Sequence, residues 1–173
     1  MNAAARLAAR WESVPVWAMP LLIAGAVVFF LGLILLAIPL WGSIEKTKDE
    51  RAALLSIRTI RLAELTYESI YPANGFACTL AALGGDPRVG AASQVAAQLI
   101  PVDLASGTKS GYAFSVNCTD SVIKNGIYRY NKFAVTAVPA DVGKTGTRGF
   151  CGDQFGNIQY DPLGGNNCTQ PIE

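Results

Sequence analysis

From Ser13 to Ile44 the chain carries no Asp, Glu, Lys or Arg, and from Leu21 to Ile38 it has no polar side chain at all. Trp17 and Pro20 stand before that run, Pro39 and Trp41 after it. A helix from Trp17 to Trp41 would extend roughly 37 Å at about 1.5 Å per residue, enough to cross a hydrocarbon core of roughly 30 Å. Tryptophan suits the headgroup level, where one edge of the ring is wet and one face dry, so Trp17 and Trp41 are the expected interface anchors. The pattern predicts a membrane-spanning helix. A cleaved signal peptide fits less well: its apolar region is about 7–15 residues and ends in a small-x-small site, which Pro39-Leu40-Trp41-Gly42-Ser43 does not offer. A buried helix of a soluble protein fits worse, because the remaining chain is too short to surround so long an apolar rod.

Beyond the span, Ala53, Ile57, Ile60, Ala63, Tyr67, Ile70 and Tyr71 recur at helical spacing and form one apolar stripe. Arg58, Arg61, Glu64 and Glu68 border or oppose it. Pro72 and Asn74-Gly75 end the helix. The spacing therefore predicts a long helix whose first half is transmembrane and whose second half is amphipathic. Thr79–Leu83 reads as a helical turn closed by Gly84-Gly85, Ala91–Leu99 as a helix, and Pro101–Leu104 as a further turn. The period then becomes two: Tyr112, Phe114, Val116 and Cys118 alternate as one face of a strand. Asn125-Gly126 signals a tight turn. Ile127–Val138 is the next strand, and Arg148–Cys151 with Asn157–Tyr160 make a last hairpin. A helix packed on an antiparallel meander is an α+β fold. The expected organisation is a short cytoplasmic N-terminus (1–12), a transmembrane helix (13–42) and an extracytoplasmic domain (43–173).

Charge and composition narrow the function. Setting aside Arg6, Arg10 and Glu12, residues 43–173 hold 12 Lys and Arg against 12 Asp and Glu. A neutral domain with no basic run has no electrostatic footprint for nucleic acid. The chain has no histidine, which removes the commonest general base and metal ligand. No nucleophile motif is present, so neither an enzyme nor a cofactor or small-molecule substrate is expected. Cys78, Cys118, Cys151 and Cys168 all follow the span, without a C-x-x-C arrangement. Even, scattered cysteines in a small extracytoplasmic domain point to two disulfides. Of the three pairings, Cys78–Cys118 with Cys151–Cys168 is favoured because the second bond would close a short C-terminal hairpin. Lys46, Lys48, Arg51, Arg58 and Arg61 outnumber Arg6 and Arg10, which taken literally would keep the domain in the cytoplasm. That rule weakens for segments longer than about 60 residues. The cysteines decide for an oxidising space: N-terminus inside, domain on the periplasmic or extracellular side of the cytoplasmic (inner) membrane.

The phrases SIRTIRLAELTYESIYPANGF, LAALGG, LASGTKSGYAFSV, FAVTAVPA and GTRGFCGDQFGNIQYD, in this order over roughly residues 52–161, resemble the type IV pilin and pseudopilin group. The resemblance implies an N-terminal helix half embedded in membrane and half packed on a β-sheet, in a subunit of a filament or a secretion pseudopilus. A pilin precursor carries a short basic leader ending in Gly and a Glu at the fifth residue of its apolar helix. Here the apolar segment is without Glu, and Glu45 lies beyond it. The expectation is a pilin-like head on an uncleaved anchor.

Several residues invite a sharper role. Ala18, Gly25 and Gly32 are spaced by seven and would share one side of the span, where small residues let helices approach closely in lipid. They are candidate packing residues for another membrane protein or a second copy. Asp153, Asn157 and Asp161 could approach calcium, but they follow no EF-hand pattern, and turn formation is the expected role. Gly143-Lys144-Thr145 lacks the earlier glycine of a phosphate-binding loop. Asn117-Cys118-Thr119 and Asn167-Cys168-Thr169 fit a glycosylation sequon whose middle residue has a disulfide to make. Tyr67, Tyr71, Tyr112, Phe114, Tyr128, Tyr130 and Phe133 are expected in the core. The function expected is that of a structural or assembly protein presenting its head to partners, or an accessory single-pass subunit of a larger membrane complex.

Overall fold

Helix α1 runs from Met19 to Ile70, 52 residues, after a 3₁₀ turn at Val16–Ala18. The computed structural model describes residues 15–124 and 126–172, with the side chains of residues 16, 37–41 and 124 outside that description. The chain divides into two compact units, Met1–Ser43 and Ile44–Glu173. In the first unit Pro20 falls in the first turn of α1, where its missing N–H costs nothing, and the helix continues through Pro39. The expected segment 1–12 lies outside the described residues.

In the second unit the remainder of α1 lies on a six-stranded antiparallel sheet, giving an α+β architecture. The strands are β1 (Thr108–Lys109), β2 (Tyr112–Lys124), β3 (Ile127–Pro139), β4 (Gly149–Asp153), β5 (Ile158–Asp161) and β6 (Gln170–Pro171), in sequential order across the sheet. Two four-residue helices, α2 (Leu80–Leu83) and α3 (Val102–Ala105), connect α1 to the sheet.

The core follows from the two periodicities meeting. Ala53, Ile57, Ile60, Ala63 and Tyr67 are buried on one face of α1, against Tyr112, Phe114 and Val116 of β2, Phe133, Val135 and Ala137 of β3, and Phe150 of β4. The β2–β3 register sets Phe114 opposite the small Ala137, and Val116 opposite Val135. On the outer face Ser115 and Thr136 hydrogen-bond to each other at 2.7 Å. Lys124 pairs with Ile127 across a two-residue turn, with Gly126 at φ +78°. Gly75 is required at its place: with φ +71°, a Cβ there would fall 2.0 Å from the Tyr130 carbonyl oxygen.

Four expectations need correction. Residues 91–99 form no helix. Ser93 and Ala96 exchange backbone hydrogen bonds across a tight turn, and Gln98 has φ +57°. The N–H groups of Ala97, Gln98 and Leu99 then donate to the carbonyls of Ala82, Gly84 and Leu83. A four-residue helix has terminal carbonyls with no internal acceptor role, and this extended segment satisfies them. Ile70 leaves the buried stripe and is 53% exposed at the end of α1. Glu64, expected at the border of the stripe, is fully buried within it. Among the aromatics, Tyr128 is exposed near the β2–β3 turn and Tyr130 is half-buried, whereas Tyr67, Tyr112, Phe114 and Phe133 are core.

Candidate functional site

In the first unit, α1 from Met19 to Leu36 is 18 residues long, apolar enough to cross a membrane, and has none of its residues buried. A signal sequence near the N-terminus meets the same description. Leu21, Leu22, Ile23, Val27, Val28, Phe29, Phe30, Leu31, Leu33, Ile34, Leu35 and Leu36 all stand exposed, an apolar surface that water alone would not leave uncovered. Trp17 is exposed at its start; the side chain of Trp41 lies outside the described residues. Gly25 and Gly32 fall on one side of α1, with open space where a Cβ would stand. Ala18 belongs to the 3₁₀ turn, so helical phase relates only the two glycines.

Two carboxylates from α1 enter the head. Glu50 Oε1 accepts the backbone N–H of Thr147 at 2.9 Å, the Thr147 hydroxyl at 2.7 Å and the Arg148 N–H at 3.2 Å. Its Oε2 takes Arg148 Nε at 3.0 Å and a terminal guanidinium nitrogen at 2.6 Å. Burial opposes the charge, but the hydrogen bonds from Thr147 and Arg148 outweigh it and hold the carboxyl below its usual range. The Arg148 guanidinium also lies over the rings of Phe150 and Tyr160, 5.5 and 5.2 Å from their centroids. This is a clamp between helix and sheet. Sequence reasoning missed it, although Thr147-Arg148 just before a strand was a visible donor cluster.

Glu64 differs. Its Oε2 accepts the Ala77 N–H at 2.7 Å, and Oε1 is buried with no hydrogen-bond partner among the described residues. Burial raises its pKa to about 7, against the backbone hydrogen bonds of Ala77 and Cys78 that work to lower it. Nearby, the Tyr67 hydroxyl donates to the Gln94 carbonyl at 2.7 Å.

Disulfides join Cys78 to Cys118 and Cys151 to Cys168. The first ties the chain just after α1 to β2; the second joins β4 to the segment before β6. Asp153 and Asp161 act as turn formers. Asp153 accepts from the N–H groups of Phe155 and Asn157 and from the Asn157 amide, and Asp161 from the N–H groups of Leu163 and Asn167. Among the described residues no three His, Cys, Asp or Glu gather as a metal site.

Two surfaces of the head remain. On α1, Leu55 (60% exposed) and Leu62 (59%) alternate with Thr59 and Thr66. Each threonine hydroxyl bonds back to the carbonyl four residues earlier; these four positions are uncharged, with Arg51, Arg58 and Lys109 at their border. A groove of about 370 Å³ is lined by Ile57, Arg58 and Arg61 of α1, Gly152 and Asp153 of β4, Gly156, Ile158 of β5, and Ile172.

No protein-family model matches the chain, and no curated protein or solved structure matches it.

Proposed function

We propose that this chain is a membrane-anchored, pilin-like structural or assembly protein, its apolar segment kept as an uncleaved anchor in the cytoplasmic membrane and its disulfide-bonded head displayed on the extracytoplasmic side. The observation that carries this reading is the double character of α1. The same helix bears 18 uncovered apolar residues and, further along, the face that completes the core of the sheet. Two disulfides support an oxidising compartment. The order of long helix, short helices and antiparallel meander agrees with the phrases that resemble pilins.

Vesicles carrying the full chain, washed with alkaline carbonate, should retain it at its intact mass, and thiol reagents added without reductant should label no cysteine. Release into the wash, a mass lacking the apolar segment, or four reactive thiols would refute the reading. A second reading, an accessory subunit of a larger membrane complex, is favoured by the uncharged outward positions Leu55, Thr59, Leu62 and Thr66 and by the paired Gly25 and Gly32. Gentle detergent extraction with sizing separates them: a self-assembly contains this chain alone, an accessory subunit elutes in fixed ratio with other proteins.

A further inference from the structure

We propose that the groove between α1 and the β4–β5 hairpin binds an aliphatic carboxylate, its anionic end held by Arg58 and Arg61 and its apolar body laid on the half-buried Ile158 and Ile172. Arg58 and Arg61 stand one helical turn apart on the same side of α1 and both line the groove. Arg61 donates Nε to the Gln154 carbonyl at 3.3 Å, which orients its guanidinium and leaves its terminal nitrogens available. Arg58 has no hydrogen-bond or ion-pair partner among the described residues. The one carboxylate lining the groove, Asp153, accepts from Phe155 and Asn157 and makes no ion pair with either arginine among the described residues, so two cations face a single anion and a net positive charge remains.

Guanidinium groups bind carboxylates through paired N–H donors. Asp153 disfavours a doubly charged ligand such as a phosphate monoester, and the isoleucines favour an alkyl group over a sugar. Gly156 leaves room for the Arg61 side chain, since a Cβ there would stand 3.1 Å from the guanidinium carbon, and Gly152 lets β4 pack directly on Ile57 beneath the groove. The volume is at the small end of ligand pockets, which suits a short chain. The groove lies wholly within the unit Ile44–Glu173 and does not depend on the membrane reading.

Such a carboxylate could be a free short-chain acid or the C-terminus of a peptide ending in an aliphatic residue. The full chain in phosphatidylcholine nanodiscs is titrated calorimetrically with hexanoate, hexanamide, acetyl-Gly-Gly-Ile as the free acid, and its C-terminal amide, with empty discs subtracted. Chain that fails to stay in the discs speaks against the anchor, and the same titrations then run on the released chain. Saturable binding of either acid but neither amide is expected, weakened at least tenfold by Arg58→Gln and by raised salt. Arg58 is exposed, so this variant should melt with the wild type. Binding of the peptide alone assigns the groove to a chain terminus, and binding of hexanoate to a free acid. Absence of binding by both acids, equal binding of acid and amide, or an unchanged affinity in Arg58→Gln overturns the proposal.

Discussion

Glu64, with no solvent exposure, accepts the backbone N–H of Ala77 at 2.7 Å, so a helix carboxyl holds the loop that leads into Cys78. In the folded chain that carboxyl sits at about 7, against an ordinary 4.5. Folding therefore binds its proton more tightly. Its contribution is most favourable below 4.5, weakens as pH rises to about 7, and levels off beyond. The loss amounts to about 3 kcal/mol. Denaturant melts across this range should show the decline, and Glu64→Gln, which keeps an acceptor for Ala77 and cannot ionise, should flatten it. A decline of equal size in the variant would assign it to another group.

Glu50 titrates in the opposite sense. Its carboxyl is held below the usual range, so its stabilisation is present above pH 4.5 and is lost as pH falls through the lowered value. Glu50→Ala leaves five donor contacts of Thr147 and Arg148 without their acceptor. Arg148 is partly exposed and can recover water, which reduces the cost to about 2 kcal/mol. Chemical denaturation should measure that loss, and the double variant with Arg148→Ala should cost clearly less than the sum of the two singles.

The disulfides should contribute unequally. Cys78–Cys118 spans 40 residues and Cys151–Cys168 spans 17. Loop-closure entropy gives about 4 and about 3 kcal/mol. Serine pairs at each bridge, compared by denaturant midpoint, should lose more at Cys78 and Cys118. The reverse order would mean that native packing, not chain entropy, sets their worth.

An arginine in place of Val28, in the middle of the 18-residue apolar run, should disfavour insertion by about 3 kcal/mol. The fraction resisting carbonate extraction should fall accordingly. An undiminished fraction would mean that this run is not what holds the protein in the bilayer.

The sequence pattern carried the main architecture because its signals were long and periodic. The stripe Ala53, Ile57, Ile60, Ala63 and Tyr67 is the core face of α1, and the alternation Tyr112, Phe114, Val116 is the core face of β2. The cysteine pairs are those that closing a C-terminal hairpin favoured. The misreadings have local causes. Alanine-rich residues 91–99 have helical propensity, but the carbonyls at the end of α2 recruit them as an extended partner. The two-residue strands β1 and β6 are too short to show a period. Glu50 and Glu64 look like surface acids in sequence, because helical phase tells which way a side chain points and not how deep the facing loop buries it. The Arg58–Arg61 groove was illegible for a related reason: its other wall, Gly152 to Ile158, arrives from about ninety residues away.

The Cys78–Cys118 bond makes residues 78–118 a covalent ring that encloses α2, the tight turn at Ser93–Ala96, α3 and β1. A single protease nick at the exposed stretch Arg88–Ala92 would therefore release nothing. Both products would stay joined through sulfur until a reductant reached them, so a scarred copy would persist in one piece.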